Sequence, residues 1–410
     1  MKILSINKFH YIYGGSDRYY FELNELLQRN GNEVIPYAMK SPKNIPSEYD
    51  DYFVSNVDYW GKNSTKSRIK AASRIFYSNE ARRKIKHLIE RTKPDLAHIH
   101  LIYHQISPSI LPIIKEAGIP IIQTLHDYKP VCPTYSLISK NKICERCKGK
   151  KFYNAFIQRC NHDSIIFSGI NSAEMYLHHS LGWYDIPDLF ITPSNFMRDK
   201  LIEFGMPPDK LVHIPNFVNP KKFTVSNQAE DYFVYIGRLI PIKGLKTLIR
   251  AMGNINGRTK LLLIGEGPQR SELEMITLEM NLTNVKFLGQ LDFHELIKIV
   301  SQAKFSVLPS EVYENCPMAV LESMAMGKPV IGAEIGGIPE LINDNVDGFL
   351  FESGNSEDLA KKINKMIDDP DMNQEMGINA RKKIEQLYNP EIHYQQVMIL
   401  YDQLLEKQSQ

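Results

Sequence analysis

Short apolar runs alternate along this chain with stretches whose apolar positions recur every three or four residues. In the first half, KILSIN, EVIPYAM, DLAHIHLI, PIIQTLHDY and LFITPS have the length and β-branched content of strands. Between them RYYFELNELLQRNG, SPSILPIIKEAG and NFMRDKLIEFG carry helical spacing. The pattern restarts near residue 231, where YFVYIG, KLLLIGEG, VKFLGQ, FSVLPS and PVIGAEI alternate with LKTLIRAMGNI, SELEMITLEMNL, FHELIKIVSQA and DLAKKINKMID. Such alternation predicts parallel sheets covered by helices on both faces. The stretch at 216–230 holds asparagine and proline without a sustained period and predicts a linker.

The expected fold is therefore α/β, with two Rossmann-like doubly wound domains facing across a cleft. We place the first at 1–215, with a cysteine-rich insertion at 128–165, and the second at 231–388. A last helix, 389–410, follows. At 410 residues the chain is long enough for two such cores. Ligands of open parallel sheets sit beyond the carboxyl ends of the strands, so paired domains put the site where those edges face each other.

Composition narrows the class. With 43% hydrophobic and 23% charged residues the chain is an ordinary globular protein, and a net charge of +2 gives no reason to expect nucleic acid. The start, MKILSINKFH, is too brief for a signal peptide, and no apolar run approaches the ~20 residues of a membrane span. We expect a cytoplasmic protein, peripheral on the inner face of the membrane if it touches one. Between Lys62 and Lys93, eleven basic residues face only Glu80 and Glu90, with Ile69, Ile75, Phe76, Ile85, Leu88 and Ile89 as an apolar stripe. This segment reads either as a solvated helix over the core or as an amphipathic helix against an anionic membrane surface.

Candidate chemistry collects at strand ends. In EVYENCPMAVLE, Pro317 suits a helix start, because its missing N–H would have had no partner there. The next N–H groups, of Met318 and Ala319, form an anion site at the positive end of the helix dipole. Glu314 just before the helix and Glu322 within it could accept hydrogen bonds from a sugar and a ribose, with phosphate between them. Each could equally be a solvated residue. Arg238 and Lys243, in the loop after YFVYIG, are cations that could neutralise a diphosphate leaving group. Gly265 and Gly267 end another strand, where a base or ribose could approach the backbone. In the first half, Gly14 and Gly15 fill the equivalent turn, and His126 ends the strand in TLHDY. The glycine loop is not GxGxxG and no acidic ribose partner follows the second strand, which disfavours a nicotinamide dehydrogenase.

Taken together, YGGSDRYYFELNELLQRNGNEV, GRLIPIKG and the E-x7-E pair Glu314 and Glu322 resemble glycosyltransferase family 4, whose fold is of the two-Rossmann GT-B type. The resemblance covers nearly the whole chain. It implies a retaining enzyme that uses a nucleoside diphosphate sugar and needs no catalytic metal. Arg238 and Lys243 would hold the diphosphate, Glu314 the transferred sugar and Glu322 the ribose. Gly15 would approach the diphosphate or acceptor, and His126 would lie near the donor sugar. Where the family commonly has E-G-F-G or E-P-F-G, this chain has Glu314-Asn315-Cys316-Pro317, so Asn315 marks a departure in sugar reading. The last helix would cross back onto the first domain. A polyprenyl-diphosphate-linked or glycan acceptor for surface polysaccharide is the expected partner. A nucleotide-sugar epimerase and an inactive nucleotide-binding scaffold share the two-domain outline. A phosphorylase would need a pyridoxal lysine in a much longer chain.

Cys132, Cys144, Cys147 and Cys160 form a C-x2-C flanked by an outer cysteine on each side. The spacing suits a structural four-thiolate zinc site, with free thiols or disulfides as alternatives. Cys316 stands apart and reads as a buried helix-start residue.

Overall fold

The structure, a computed structural model, describes residues 1–56, 73–226 and 228–409. The first domain is built on β1 (Lys2–Ile6), β2 (Glu33–Tyr37), β3 (Leu96–Ile99) and β4 (Ile121–Thr124). A two-residue hairpin, β5 (Ile138–Ser139) with β6 (Lys142–Ile143), belongs to the insertion, and β7 (Leu189–Thr192) and β8 (Leu211–His213) complete the sheet. Its order is β2-β1-β3-β4-β7-β8, parallel throughout. The second domain uses β9 (Tyr232–Ile236), β10 (Lys260–Ile264), β11 (Val285–Gly289), β12 (Ser306–Leu308), β13 (Val330–Ala333) and β14 (Gly348–Phe351). It is also parallel, in the order β11-β10-β9-β12-β13-β14.

These strands are almost continuously apolar because both faces are covered. Phe233, Val234 and Tyr235 of β9 and Leu261 and Leu263 of β10 are buried together with Leu248 and Leu321 from the flanking helices. In each sheet the order reverses at one place, between β1 and β3 in the first and between β9 and β12 in the second. A crevice opens at such a reversal, because the connections leave in opposite directions.

The chain crosses between the domains twice. Near residue 217 the linker puts Phe217 into the first core and Val218 into the second. The C-terminal helix, Pro390–Ser409, then returns, and its Val397, Leu400, Tyr401 and Leu404 are buried with Ile3, Leu23, Leu96 and Ile122 of the first domain. Its Tyr401 hydroxyl meets His98 Nδ1 at 2.5 Å, under the first sheet.

Residues 57–72, the start of the basic segment, lie outside the described residues. The later part is the helix Asn79–Thr92, started by the Ser78 side chain, which accepts from Ala81 N. Its Ile85, Leu88 and Ile89 are buried in the first core, so this stripe covers the sheet and has no apolar face left for a membrane. Among the described residues no helix is long and apolar enough to cross a membrane.

Because the returning helix completes the first core, Tyr401→Ala should destabilise that domain by about 3–5 kcal/mol. Tyr401→Phe, which loses only the hydroxyl contact, should cost about 1 kcal/mol. Urea unfolding of the three proteins measures both, and equal losses would show that the ring contributes nothing.

Candidate active site

The second sheet's reversal sets the site. The loop after β9 carries Arg238 and Lys243, and the loop after the neighbouring β12 carries Ser310, Glu314 and Asn315 into the helix Met318–Ala325. The backbone here is tightly packed. Gly265, at φ +135°, has no room for a side chain, because a Cβ would lie 2.0 Å from the carbonyl oxygen of Gly237. A Cβ on Gly267 would lie 2.3 Å from that of Leu239. These two glycines clamp the loop after β10 onto the loop after β9 and thereby fix the base of the Arg238 loop.

Glu314 Oε1 accepts from Ser310 Oγ at 2.6 Å and from the Lys243 ammonium. Burial alone would raise its pKa, but the Lys243 ammonium and the Ser310 hydroxyl outweigh it and hold the carboxyl below the usual glutamate range. Glu322 is buried one turn inside the helix, and Arg18 of the first domain reaches its Oε1 with Nη1 at 2.9 Å. Here burial wins over the attraction of Arg18 and pushes the carboxyl upward. Arg238 is exposed, with no ion pair or hydrogen bond from its side chain among the described residues.

The first domain meets this edge with its own strand ends. Gly15 opens the helix Gly15–Arg29 opposite the start of the Met318 helix, and a Cβ on it would come 3.4 Å from Met318 Cγ. Two positive helix ends, with the N–H groups of Met318 and Ala319 on one of them, therefore converge on the same space. Asp17 holds the glycine loop by accepting from Gly14 N at 3.1 Å and from Asn7 Nδ2 at 2.9 Å.

His126 packs edge-on to Tyr19 and joins His100 through Nε2 and Nδ1 at 3.2 Å. Burial lowers its pKa to about 3, so the ring is neutral at physiological pH. Its carbonyl oxygen accepts from Asn315 Nδ2 at 3.0 Å, while Asn315 Oδ1 is buried without a partner among the described residues. Asn315 thus links the two domains at the position where its sequence is unusual. The next residue, Asp127, is enclosed with Lys8, Lys129 and His104 nearby, and burial raises its carboxyl despite them.

Several contributors are not evident from sequence. Arg18 lies in the glycine-loop helix, but its partner is 304 residues away. Tyr313, next to Glu314, donates from its hydroxyl at 2.9 Å to Glu145, the residue after Cys144 in the insertion. Lys200 joins the same carboxylate at 2.8 Å. Glu340 of the second domain caps the helix Asn195–Glu203 of the first, accepting from Asn195 N at 2.8 Å and Phe196 N at 2.6 Å. A capping carboxylate so remote has no sequence signature.

All five cysteines are free thiols. Cys132, Cys144 and Cys160 lie within electrostatic range of Cys147, and burial raises the Cys147 thiol to about 12. Among the described residues no three His, Cys, Asp or Glu side chains are arranged to hold a metal ion. The four thiols are thus gathered without the ligand geometry that their spacing suggested. Cys316 is buried at the helix start, and its carbonyl accepts from Asn216 Nδ2 at 2.9 Å.

Comparison with known proteins gives a consistent result. Residues 13–222 match the model of Glycosyltransferase Family 4, and residues 219–383 match that of Glycosyl transferases group 1. An uncharacterized glycosyltransferase of Methanocaldococcus jannaschii is 27% identical over 82% of this chain and 81% of its own length. The O-antigen chain mannosyltransferase C of Escherichia coli is 23% identical over the full length of both chains. Among solved structures, sucrose-phosphate synthase from Thermosynechococcus elongatus superposes with a TM-score of 0.73 at 22% identity, covering 99% of each chain. Anabaena HepE in complex with UDP gives 0.71 at 18% identity, covering 98% of this chain and all of its own.

The lowered pKa of Glu314 adds stability above the ordinary glutamate range, and that stability is lost as pH falls through the lowered value. Lys243→Met removes the counter-charge and keeps most of the stem, so burial should then raise the Glu314 carboxyl above its usual range and the acid-side loss contributed by this group should disappear or reverse. Urea midpoints from about pH 3 to about pH 7 test this. An unchanged acid limb would mean that Lys243 does not hold Glu314 ionised. Gly265→Ala should cost about 3 kcal/mol through the collision with Gly237, and a wild-type melting temperature would refute the clamp.

Proposed function

The chain belongs to glycosyltransferase family 4 and is a group 1 glycosyltransferase of GT-B fold, and from this premise we propose that it transfers a sugar from a nucleoside diphosphate to a lipid-linked glycan acceptor with retention of anomeric configuration. The observation that carries the reading is the arrangement at the second sheet's reversal. There Glu314 is held ionised, Glu322 is buried at the interdomain face, and Arg238 is unpaired among the described residues, all around one helix start.

In this reading the ribose hydroxyls bind Glu322 and displace Arg18, and the diphosphate lies against the N–H groups of Met318 and Ala319. Gly15 leaves space for it on the opposite side. Arg238 and Lys243 stabilise the charge that grows on the leaving phosphate as the glycosidic bond breaks, an interaction stronger in the transition state than in the ground state. Glu314 and the unpartnered Asn315 Oδ1 accept from hydroxyls of the transferred sugar. His126, neutral and fixed by His100, lines the sugar pocket through its ring and its carbonyl. The acceptor hydroxyl attacks from the face the phosphate leaves, and the departing phosphate takes its proton. Gly265 and Gly267 support the donor loop from below.

The acceptor enters from the first domain, where Lys8, Asp127 and Tyr135 surround the approach and Tyr135 lies within electrostatic range of Arg238. A polyprenyl diphosphate carrying a growing glycan suits this side, on the cytoplasmic face of a membrane and in surface polysaccharide assembly. The full-length likeness to an O-antigen mannosyltransferase supports that pathway, and the fold shared with a UDP complex supports a nucleotide donor. We further propose that the insertion thiols hold a structural zinc once drawn together. Elemental analysis should find one zinc per chain, and four titratable thiols without zinc would remove this part.

A thermal-shift screen with uridine, guanosine and adenosine diphosphates and their sugars should give one nucleotide that raises the melting temperature, because a ligand of the native fold stabilises it. With the donor so found, Arg238→Ala and Lys243→Ala should each lower kcat by about 10²–10³-fold. NMR of the product should show the donor's anomeric configuration. An inverted product, or undiminished turnover of Lys243→Ala, would overturn the mechanism.

A further inference from the structure

The helix Ile165–Ser180 is amphipathic in the inverted sense. Its inward side is mostly polar, with Ser168, Asn171, Ser172, Glu174 and His178 buried beside Met175. Its outward side is apolar. Ile165 is 49% exposed, Ile166 70%, Tyr176 43% and Leu177 38%, and Leu181 just beyond the helix is 50% exposed. Ile166, Ile170, Ala173 and Leu177 follow the i, i+4, i+7, i+11 spacing of a single helical stripe.

The orientation is forced from within. Glu174 is fully buried and accepts from Lys129 Nζ at 2.7 Å, while His104 Nε2 lies 3.2 Å from the same oxygen. Once that charge points inward to its buried partner, the apolar residues between its turns must point outward.

A neighbouring element extends the apolar side. In the short helix Tyr153–Ile157 of the insertion, Tyr153, Phe156 and Ile157 are 48%, 44% and 58% exposed. A Cβ on Gly169 would lie 3.3 Å from the Phe156 ring, and the Tyr176 hydroxyl accepts from Tyr153 N at 3.3 Å. The two helices therefore present one continuous face.

That face borders an insertion of one charge. From residue 140 to residue 159 the chain carries Lys140, Lys142, Arg146, Lys148, Lys150, Lys151 and Arg159, all exposed, against the single acid Glu145. Glu145 is already engaged by Lys200 and Tyr313. Of the seven cations only Lys148 has a carboxylate partner among the described residues, Glu203 at 2.6 Å.

We propose that this face docks the enzyme on an anionic lipid bilayer, with Ile157, Ile166 and Leu177 entering the boundary between headgroups and acyl chains and the insertion's lysines and arginines meeting lipid phosphates. Charge selects the occupant. A second copy of this chain would bring two cationic insertions together, whereas an anionic leaflet complements both the charge and the apolar stripe. The position also suits the chemistry, because the other side of the same helix carries Glu174, whose partner Lys129 lies three residues past His126 at the cleft. A helix is only about 10–12 Å across, so docking brings the bilayer close to the acceptor side of the cleft. The inference deepens the lipid-linked acceptor reading and rests on it only for what is delivered. Vesicles that contain no acceptor test docking separately from turnover.

The full chain is sedimented with vesicles of phosphatidylcholine and with vesicles that also contain phosphatidylglycerol. It should pellet with the anionic vesicles, less so as salt rises, and stay in solution with the neutral ones. Ile166→Glu combined with Leu177→Glu, at exposed positions where the melting temperature should hold, should lower partitioning by about tenfold or more. Lys150→Glu with Lys151→Glu should lower it by at least about fivefold per residue. Equal binding to both vesicles, no binding to either, or wild-type binding by both double variants would overturn the proposal. So would a concentration-dependent dimer in ultracentrifugation that the Ile166 and Leu177 substitutions abolish, since the face would then be a self-interface.

Discussion

Two carboxylates sit around the start of a single eight-residue helix, Glu322 buried and Glu314 partly so, and each meets a cation. Glu314 has Lys243 from its own domain, and Glu322 has Arg18 from the other. The difference in origin has a physical effect. A pair closed within one domain keeps its charge whatever the cleft does, whereas a pair closed across the cleft exists only when the domains meet. Removing one partner of such a pair leaves a charge out of water and unpaired, which is expensive. Glu314 thus has its counter-charge within its own domain, and Glu322 draws its counter-charge from across the cleft.

Much of the fold was legible because parallel sheets impose a plain pattern. DLAHIHLI and FSVLPS read as strands because both faces of β3 and β12 are covered, and their order in sequence with the intervening helices leaves little freedom in topology. The edge that gathers Arg238, Lys243 and Glu314 was legible for the same reason, since each follows a strand. What stayed hidden depends on distance in sequence. Nothing in the local pattern of GGSDR indicates that Arg18 pairs with Glu322, or that Asn315 would bridge to the carbonyl of His126.

The helix after the insertion faces in a direction that its local pattern does not decide. SIIFSGINSAEMYLHHS is rich in isoleucine, phenylalanine and leucine, yet Ile165, Ile166 and Leu177 are exposed. The helix Ile165–Ser180 carries Glu174 on its inward side, where the carboxylate meets the buried Lys129. That lysine lies 45 residues earlier in the chain. In the basic segment the helix around residue 85 turns its apolar stripe to the core, the first of the two readings that its pattern allowed.

The two passages of the chain between the domains run side by side. Val218 N, on the outgoing passage, donates to Tyr388 O at 3.0 Å, just before the chain turns back at Asn389. A body hung from one flexible strand can swing and twist in any direction, but one hung from two adjacent strands tied to each other turns about a single line. Here the two passages are joined at that bond. The Arg18 and Glu322 contact, the Asn315 bridge and the Glu340 cap lie across the same boundary, so the tie between the two passages and these three contacts together hold the domains in one relative setting.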